Sequence, residues 1–497
     1  MSSRTVELIE KGKLVVNDIH SQLNLTRVHR VVRPDSVMAI QAAVRTARLE
    51  GRAVSIAAGR HAMGGQQFGA ATVLVDMGAM NRVLAFDADR GEVEVEAGIQ
   101  WPELVAHLVE VQRGKSQQWG IRQKQTGADR LSIGGALAAN VHGRRLALRP
   151  FVADVVSFTL VDGRGEVVIC SRSENPELFS LAIGGYGLFG VIATVRLRLA
   201  PRQKLERVVE VREVEDLIEA FELRKAQGFL YGDFQFAIDP ASDDFLSEGV
   251  FSCYRPVDPT TPIPPEQRAL SRDDWQRLLY LGHVDKRRAV DAYTAHYRAT
   301  SGQIYWSDLH QMADYVDDYH QGIDERLGST ERCSEMISEL YVPRSALPHF
   351  LAEVREDFRA NGVDLIYGTI RLIERDDESF LAWAKEPWAC VIFNLHIVHT
   401  EEGLAHAAAA FRRLIDLASG YGGSYYLTYH RWATRAQVEA CYPQFGDFLR
   451  LKRRYDPEER FQSEWYRHYR AMFADLLGEE AQGSREDQLA TSEAANH

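Results

Sequence analysis

Apolar residues along the first half of the chain follow two rhythms. Val37, Ile40, Ala43, Val44 and Ala47 recur at helical spacing behind the start signal Asp35-Ser36, and Gly51 stops the run. Apolar runs at 53–57 and 72–77 read as strands. Residues 92–98, Glu-Val-Glu-Val-Glu-Ala-Gly, alternate strictly, which marks a strand with one face toward water. Trp101-Pro102 opens a helix with proline in its first turn, where a missing N–H costs least. Stretches 154–161 and 165–170 read as a hairpin through Asp162-Gly163-Arg164, and 194–199 is a further alternating strand before Pro201. The first hundred residues thus alternate β and α in the manner of a mixed sheet with helical cover.

From about residue 202 the pattern shifts to longer helices and strands. Val214, Leu217, Ile218 and Phe221 share one face of a helix over 214–221, and 234–238 is a strand. The connection 256–265 holds Pro256, Pro259, Pro262, Pro264 and Pro265, so it cannot be a central strand. Strands follow at 365–372 and 390–397, where alternation decides which face each polar residue shows. A strand from 424 ends in Tyr429-His430.

Three glycine-bearing stretches interrupt these rhythms. After the strand at 53–57 the chain reads Ala58-Gly59-Arg60-His61-Ala62-Met63-Gly64-Gly65-Gln66, a turn whose unpaired N–H groups suit an anionic phosphate around a single imidazole. Residues 126–144 are mostly Gly, Ala and Ser, which lets another object lie directly on the backbone. The alternative there is a helix start packed tightly against a sheet. The third stretch, 184–192, carries Gly184, Gly185, Gly187 and Gly190.

Composition narrows the class. A chain of 497 residues exceeds one ordinary core, so two domains are expected. A net charge of −12 disfavours nucleic acid, and the basic clusters Arg144-Arg145 and Lys452-Arg453-Arg454 are too short to reverse that. The five cysteines lie far apart with no CxxC, against a disulfide framework or a zinc or iron–sulfur site; no metal is expected, and a reducing cytoplasm is. The N-terminus lacks the apolar core of a signal peptide, and no apolar run approaches the roughly 18 residues of a membrane span. A dinucleotide-binding Rossmann pattern fails, because no GxGxxG follows the first strand with an acidic residue about 20 positions on.

Taken in order, the three glycine-bearing stretches resemble the flavin-binding domain of the vanillyl-alcohol oxidase / p-cresol methylhydroxylase superfamily over roughly residues 20–200. The matching segments are His61 to Gln66, Ile133 to Gly143, and Gly184 to Ile192; the nearest branches are the alditol and aldonolactone oxidases, decaprenylphosphoryl-ribose oxidases and cytokinin dehydrogenases. The resemblance implies an α+β protein. A PCMH-type FAD-binding domain of two α/β subdomains would span 1–200, and a substrate (cap) domain on an antiparallel sheet with helices 201–425. Residues 426–478 would return to the FAD domain, and 479–497 would be a disordered tail.

It further implies FAD held by Ala58, Gly59, Arg60, His61, Ala62, Gln66, Gly127, Ser132, Gly134, Gly135, Asn140, His142, Gly190 and Ile192. His61 stands where many members carry the histidine covalently joined to the isoalloxazine, although relatives read Gly-His-Ser where this chain has Arg60-His61-Ala62. The alternative for His61 is a hydrogen bond to a loop carbonyl. His142 is expected beside the isoalloxazine, in either acid–base or positioning work. Arg371 matches a substrate-site arginine and His396 a substrate-site histidine, while Thr369 replaces the glutamate that accompanies the arginine in polyol-oxidising relatives. An ion pair of Arg371 with Glu374 or Asp376 is the alternative. Tyr429 and His430 stand where sugar-oxidising relatives carry a catalytic lysine, and either can serve as base or hydroxyl anchor.

The expected activity is hydride transfer from a carbinol C–H of a small, polar, carbohydrate-like alcohol to flavin N5, with oxygen or another acceptor as electron sink and a homo-oligomer among the compatible assemblies. The alternatives are a C=C reductase fed by a nicotinamide donor, and a non-enzymatic electron-transfer module.

Overall fold

Helix Val37–Leu49 begins where the hydroxyl of Ser36 accepts from Ala39 N at 3.3 Å, and it buries Ile40, Ala43, Val44 and Ala47. The buried stripe lies over a three-stranded parallel sheet, in which Val73–Asp76 is flanked by Arg30–Val32 and Val54–Ala57. These strands belong to a computed structural model that describes residues 8–10, 13–313 and 319–478. The tail expected at 479–497 lies outside the described residues.

The early strands do not form one mixed sheet. The alternating segment Glu92–Glu96 joins a separate five-stranded antiparallel sheet, ordered Val167–Ser171, Val155–Val161, Val191–Arg198, Glu92–Glu96, Val83–Asp87. Val93 and Val95 are buried, and Glu94 faces Arg196 at 2.7 Å on the other side. The period-two pattern therefore gave the right face, while strand partners depended on the connections.

The larger sheet is antiparallel and eight-stranded. It runs Ile304–Trp306, Lys204–Glu213, Glu248–Pro256, Tyr231–Phe236, Leu365–Ile373, Trp388–Val398, Cys333–Pro343, Ser424–Tyr425. Helices Leu347–Asn361 and Glu401–Gly420 press Phe350, Leu351, Val354, Phe411, Leu414 and Ile415 into the core. The first strand-like run after 423 is much shorter than the alternation suggests: pairing stops at Tyr425, and 426–433 is irregular. The helix expected at 214–221 is Leu217–Ala226, with Val214 buried just before it. Among the described residues no helix is long and apolar enough to cross a membrane.

The C-terminal segment reaches back to the parallel sheet. Val54 N donates to Arg460 O at 2.6 Å, Gln462 N to Val54 O at 2.9 Å, and Glu464 N to Phe68 O at 2.7 Å. The turn into this crossing is organised by Asp456, whose carboxylate accepts from Arg460 N at 2.9 Å and Phe461 N at 2.8 Å, and from the ammonium of Lys452. Both charges are buried. Lys452→Met should therefore leave an uncompensated carboxylate and lower unfolding free energy by about 3–5 kcal/mol, read as a drop in urea midpoint with unchanged slope.

Candidate active site

Loop 58–68 leaves the parallel sheet with Arg60 in the left-handed region at φ 58°. That turn carries the Arg60 guanidinium to Asp76 at 3.3 Å. Gly59 has no substitute, since a Cβ would stand 2.6 Å from Arg130 O. His61 follows, half-buried. Its Nδ1 lies 2.7 Å from His20 Nε2, and its Nε2 is buried with no hydrogen-bond partner. Burial, then the neighbouring His20 ring, pushes this imidazole well below its ordinary range, so it is neutral. Gln66 turns inward as well, but its amide is taken by the protein: Nε2 donates to Leu427 O and Thr428 O, and Oε1 accepts from Gly64 N. It ties the loop to the C-terminal crossing.

The second stretch becomes the short helix Ile133–Ala139, capped by Ser132. Gly134 is there for packing, because its Cβ would meet Ala97 Cβ at 2.8 Å. Gly127, with φ +87° and open space at its Cβ position, borders a cavity that Gly134 also lines.

That cavity, of about 290 Å³, lies between these loops and one face of the eight-stranded sheet. Ala58, Gly59, Arg60, His61, Ala62, Gln66, Gly127, Ser132, Gly134, Gly135, His142, Gly190 and Ile192 all line it. Asn140 does not. It ends the helix in the left-handed region at φ 49°, donates to Asp376 and Ser379, and accepts from Val152 N at 2.9 Å. Its amide is a structural tie.

The sheet supplies the opposite wall by register. Thr369 pairs with Ile392, which pairs with Glu339; Tyr367 pairs with Asn394, which pairs with Ile337. All six border the cavity. Glu339 is the residue the sequence reading missed. Its Oε1 lies 2.7 Å from His142 Nε2 and accepts from the Tyr341 hydroxyl, and its Oε2 accepts from Tyr429 at 3.2 Å. The Cys390 thiol lies 3.5 Å from Oε1. Burial raises the Glu339 carboxyl, but His142 and the hydroxyl donors outweigh it, leaving the group below its usual range and ionised. His142 Nδ1 stands 3.2 Å from Gly143 O, so both ring nitrogens lie against oxygen acceptors. Burial and the Glu339 charge hold the Tyr429 hydroxyl well above its ordinary value, and it remains protonated.

Arg371 borders both this cavity and an adjoining one of about 420 Å³. Its guanidinium donates to Thr126 Oγ1, and its Nε is buried without a partner. The alternative, an ion pair with Glu374 or Asp376, does not form, since Glu374 is held by Arg344 and Lys225 and Asp376 by Asn140 and Ser379. Two candidate bases lie elsewhere. His430 stacks between Tyr425 and Trp432 against Phe411, where burial lowers it to about 3, and it does not reach the cavity. The strand carrying it ends too early to point it inward. His396 pairs in register with Glu335, two residue pairs beyond the cavity-lining Asn394–Ile337 pair, and contacts Glu335 and His283 rather than Glu339.

A cradle of this shape, with an orphan imidazole nitrogen in its floor, fits the flavin dinucleotide that the resemblance implies. Comparison with known proteins agrees. Residues 28–171 match a family model described as an FAD binding domain, and 284–469 match one described as D-arabinono-1,4-lactone oxidase. The chain is 25% identical to an L-gulono-1,4-lactone dehydrogenase of Mycobacterium tuberculosis over 80% of its own length and 85% of that protein's. It is 24% identical to cytokinin dehydrogenase 2 of Arabidopsis thaliana over 80% of both chains. With the L-gulonolactone oxidase of Bos taurus the identity is 29%, over 40% of this chain and 44% of that one.

Proposed function

This chain belongs to the vanillyl-alcohol oxidase / p-cresol methylhydroxylase superfamily of FAD-binding oxidoreductases, and we propose that it oxidises a CH–OH carbon of a small, polar, carbohydrate-like alcohol or lactone. Residues 1–200 with 426–478 form its FAD domain in this reading, and 201–425 form the substrate cap. When bound, FAD supplies the two-electron acceptor. The observation that carries the proposal is the buried, ionised Glu339 with Tyr429 donating to it across the wall facing the dinucleotide cradle.

The protein's share of the chemistry follows from that pair. A substrate hydroxyl donating to the Tyr429 oxygen passes its proton on as Tyr429 passes its own toward Glu339 Oε2. His142 and Tyr341 hold the other carboxylate oxygen, so Glu339 cannot turn away. Arg371, with its free Nε, anchors an oxygen of the substrate away from the reacting carbon. The parallel with the lactone-oxidising relatives favours a sugar lactone or an alditol as the molecule that fills this space.

Anaerobic mixing with a panel of aldonolactones and alditols tests the reading: bleaching of the flavin absorbance by a member of the panel is expected. Bleaching by NADPH and by none of the panel would sink it in favour of the C=C reductase reading. The pH profile carries a second expectation. The Glu339 carboxyl lies below its ordinary value, so the required carboxylate is present at neutral pH and is lost only as pH falls through the lowered value. The acid limb of kcat/KM should accordingly lie below the ordinary glutamate value of about 4.3; a limb near pH 6–7, roughly where a free imidazole titrates, would point to another base.

A further inference from the structure

A second cluster of titratable groups lies on the same sheet, four residues along the strand from Glu339, or roughly 13 Å at the usual strand rise. Its centre is Glu335, buried on strand Cys333–Pro343. Register places His396 opposite it, and the last turn of helix Arg272–Val284 brings His283 over both. His283 Nε2 and His396 Nδ1 lie 3.0 and 3.8 Å from Glu335 Oε1, ion-pair contacts in which neither buried nitrogen is aligned for a well-directed hydrogen bond. The side chain of His283 is only 3% exposed. The other carboxylate oxygen is held in place, by His320 Nδ1 at 2.7 Å and by the Tyr319 hydroxyl. At the outer edge, Asp364 offers a carboxylate oxygen within 4.8 Å of the ligand atoms of His283 and His396, and Lys286 holds it at 2.8 Å.

Two imidazole nitrogens therefore converge on one carboxylate oxygen of Glu335, and a second set of donors fixes the other oxygen. Nitrogen–oxygen donor sets of this kind suit borderline divalent cations, and outer donors that orient the ligands are a regular part of such sites. We propose that His283, His396 and Glu335, with Asp364 at the rim, bind one divalent transition-metal cation of the zinc class. The expectation of no metal drawn from cysteine spacing does not reach this site, whose ligands come from a helix and two strands far apart in the chain. Bound there, the cation would clamp helix Arg272–Val284 to the sheet at the end of the cavity that Glu335 and His320 border.

The test uses full-length protein purified without an affinity metal, stripped with EDTA, then titrated with Zn2+ or Co2+ and passed through a desalting column before metal analysis. About one equivalent per chain should remain with the wild type, together with a raised Tm. The double variant His283→Ala/His396→Ala should lose that equivalent, and His349→Ala, on the exposed face of another helix, should keep it. Absence of stoichiometric metal on the wild type overturns the proposal whether or not any variant folds. Undiminished metal on the double variant also overturns it, and would move the cation to His142, Glu339 and Cys390, the other group with suitable spacing among the described residues. Retained flavin absorbance shows that a variant is folded, and Glu335→Gln, which keeps the side-chain volume, should lose the metal where the double variant does not fold.

Discussion

Tyr429→Phe is expected to slow anaerobic flavin reduction by roughly 10²–10⁴-fold while leaving flavin content unchanged, the usual range for removing a proton-transfer group. The hydroxyl is the one cavity-facing group that touches Glu339 Oε2, at 3.2 Å, so the phenyl ring removes the link between substrate and carboxylate without changing the volume of the wall. Glu339→Gln should slow the same step by a comparable factor, because an amide accepts no proton at neutral pH. The two losses should not add: once the link is cut at Tyr429, the far end of it has nothing left to lose. Stopped-flow bleaching of the single and double variants reads all of this directly. Additive losses, or a Tyr429→Phe variant within a few-fold of wild type, would place the proton elsewhere.

The second large effect is all-or-none. We expect the flavin to stay with the chain after acid precipitation, and to appear wholly in the supernatant of His61→Ala. The argument is local. His61 lines the cavity, its Nδ1 lies 2.7 Å from His20 Nε2, and its ring is kept neutral by burial, with Nε2 against the Arg130 backbone. With the proton on Nδ1, Nε2 would keep the lone pair that the covalent bond implied by the resemblance requires. Flavin released by acid from the wild type would return His61 to a hydrogen-bonding role. Flavin retained by His61→Ala would assign the bond to another residue. His20→Ala separates orientation from bonding: it should slow attachment without abolishing it, visible as a mixture of bound and released flavin.

The parts of the site that came through most clearly in the sequence are those made by neighbours in the chain. Loop 58–66 and the stretch around Ser132 are shaped by local backbone demands, and glycine, a capping serine and a lone histidine advertise such demands directly. Glu339 did not advertise itself, although a signal existed. It and Glu335 interrupt the otherwise apolar strand Cys-Ser-Glu-Met-Ile-Ser-Glu-Leu-Tyr-Val-Pro, four residues apart and so on one face. Two acids on the buried face of a strand are costly unless paired, which is reason to look for partners. Their partners, His142 for one and His283, His320 and His396 for the other, stand far away in the chain.

His430 and Asn140 fail for the same reason in reverse. Each sits beside a residue that does line the cavity, Tyr429 or Ala139, and differs from it only in the direction of its side chain. Direction changes with each residue wherever the backbone leaves regular structure, as it does after Tyr425 and at the left-handed Asn140. Sequence alone determined most of the elements and the glycine-built loops, because these depend on short-range sterics and on backbone groups left unpaired nearby, and the resemblance those loops carry implied the cofactor. Only the tertiary structure decided which carboxylate faces the cradle and which histidines surround the other, since that depends on the register of an eight-stranded sheet assembled from segments more than two hundred residues apart.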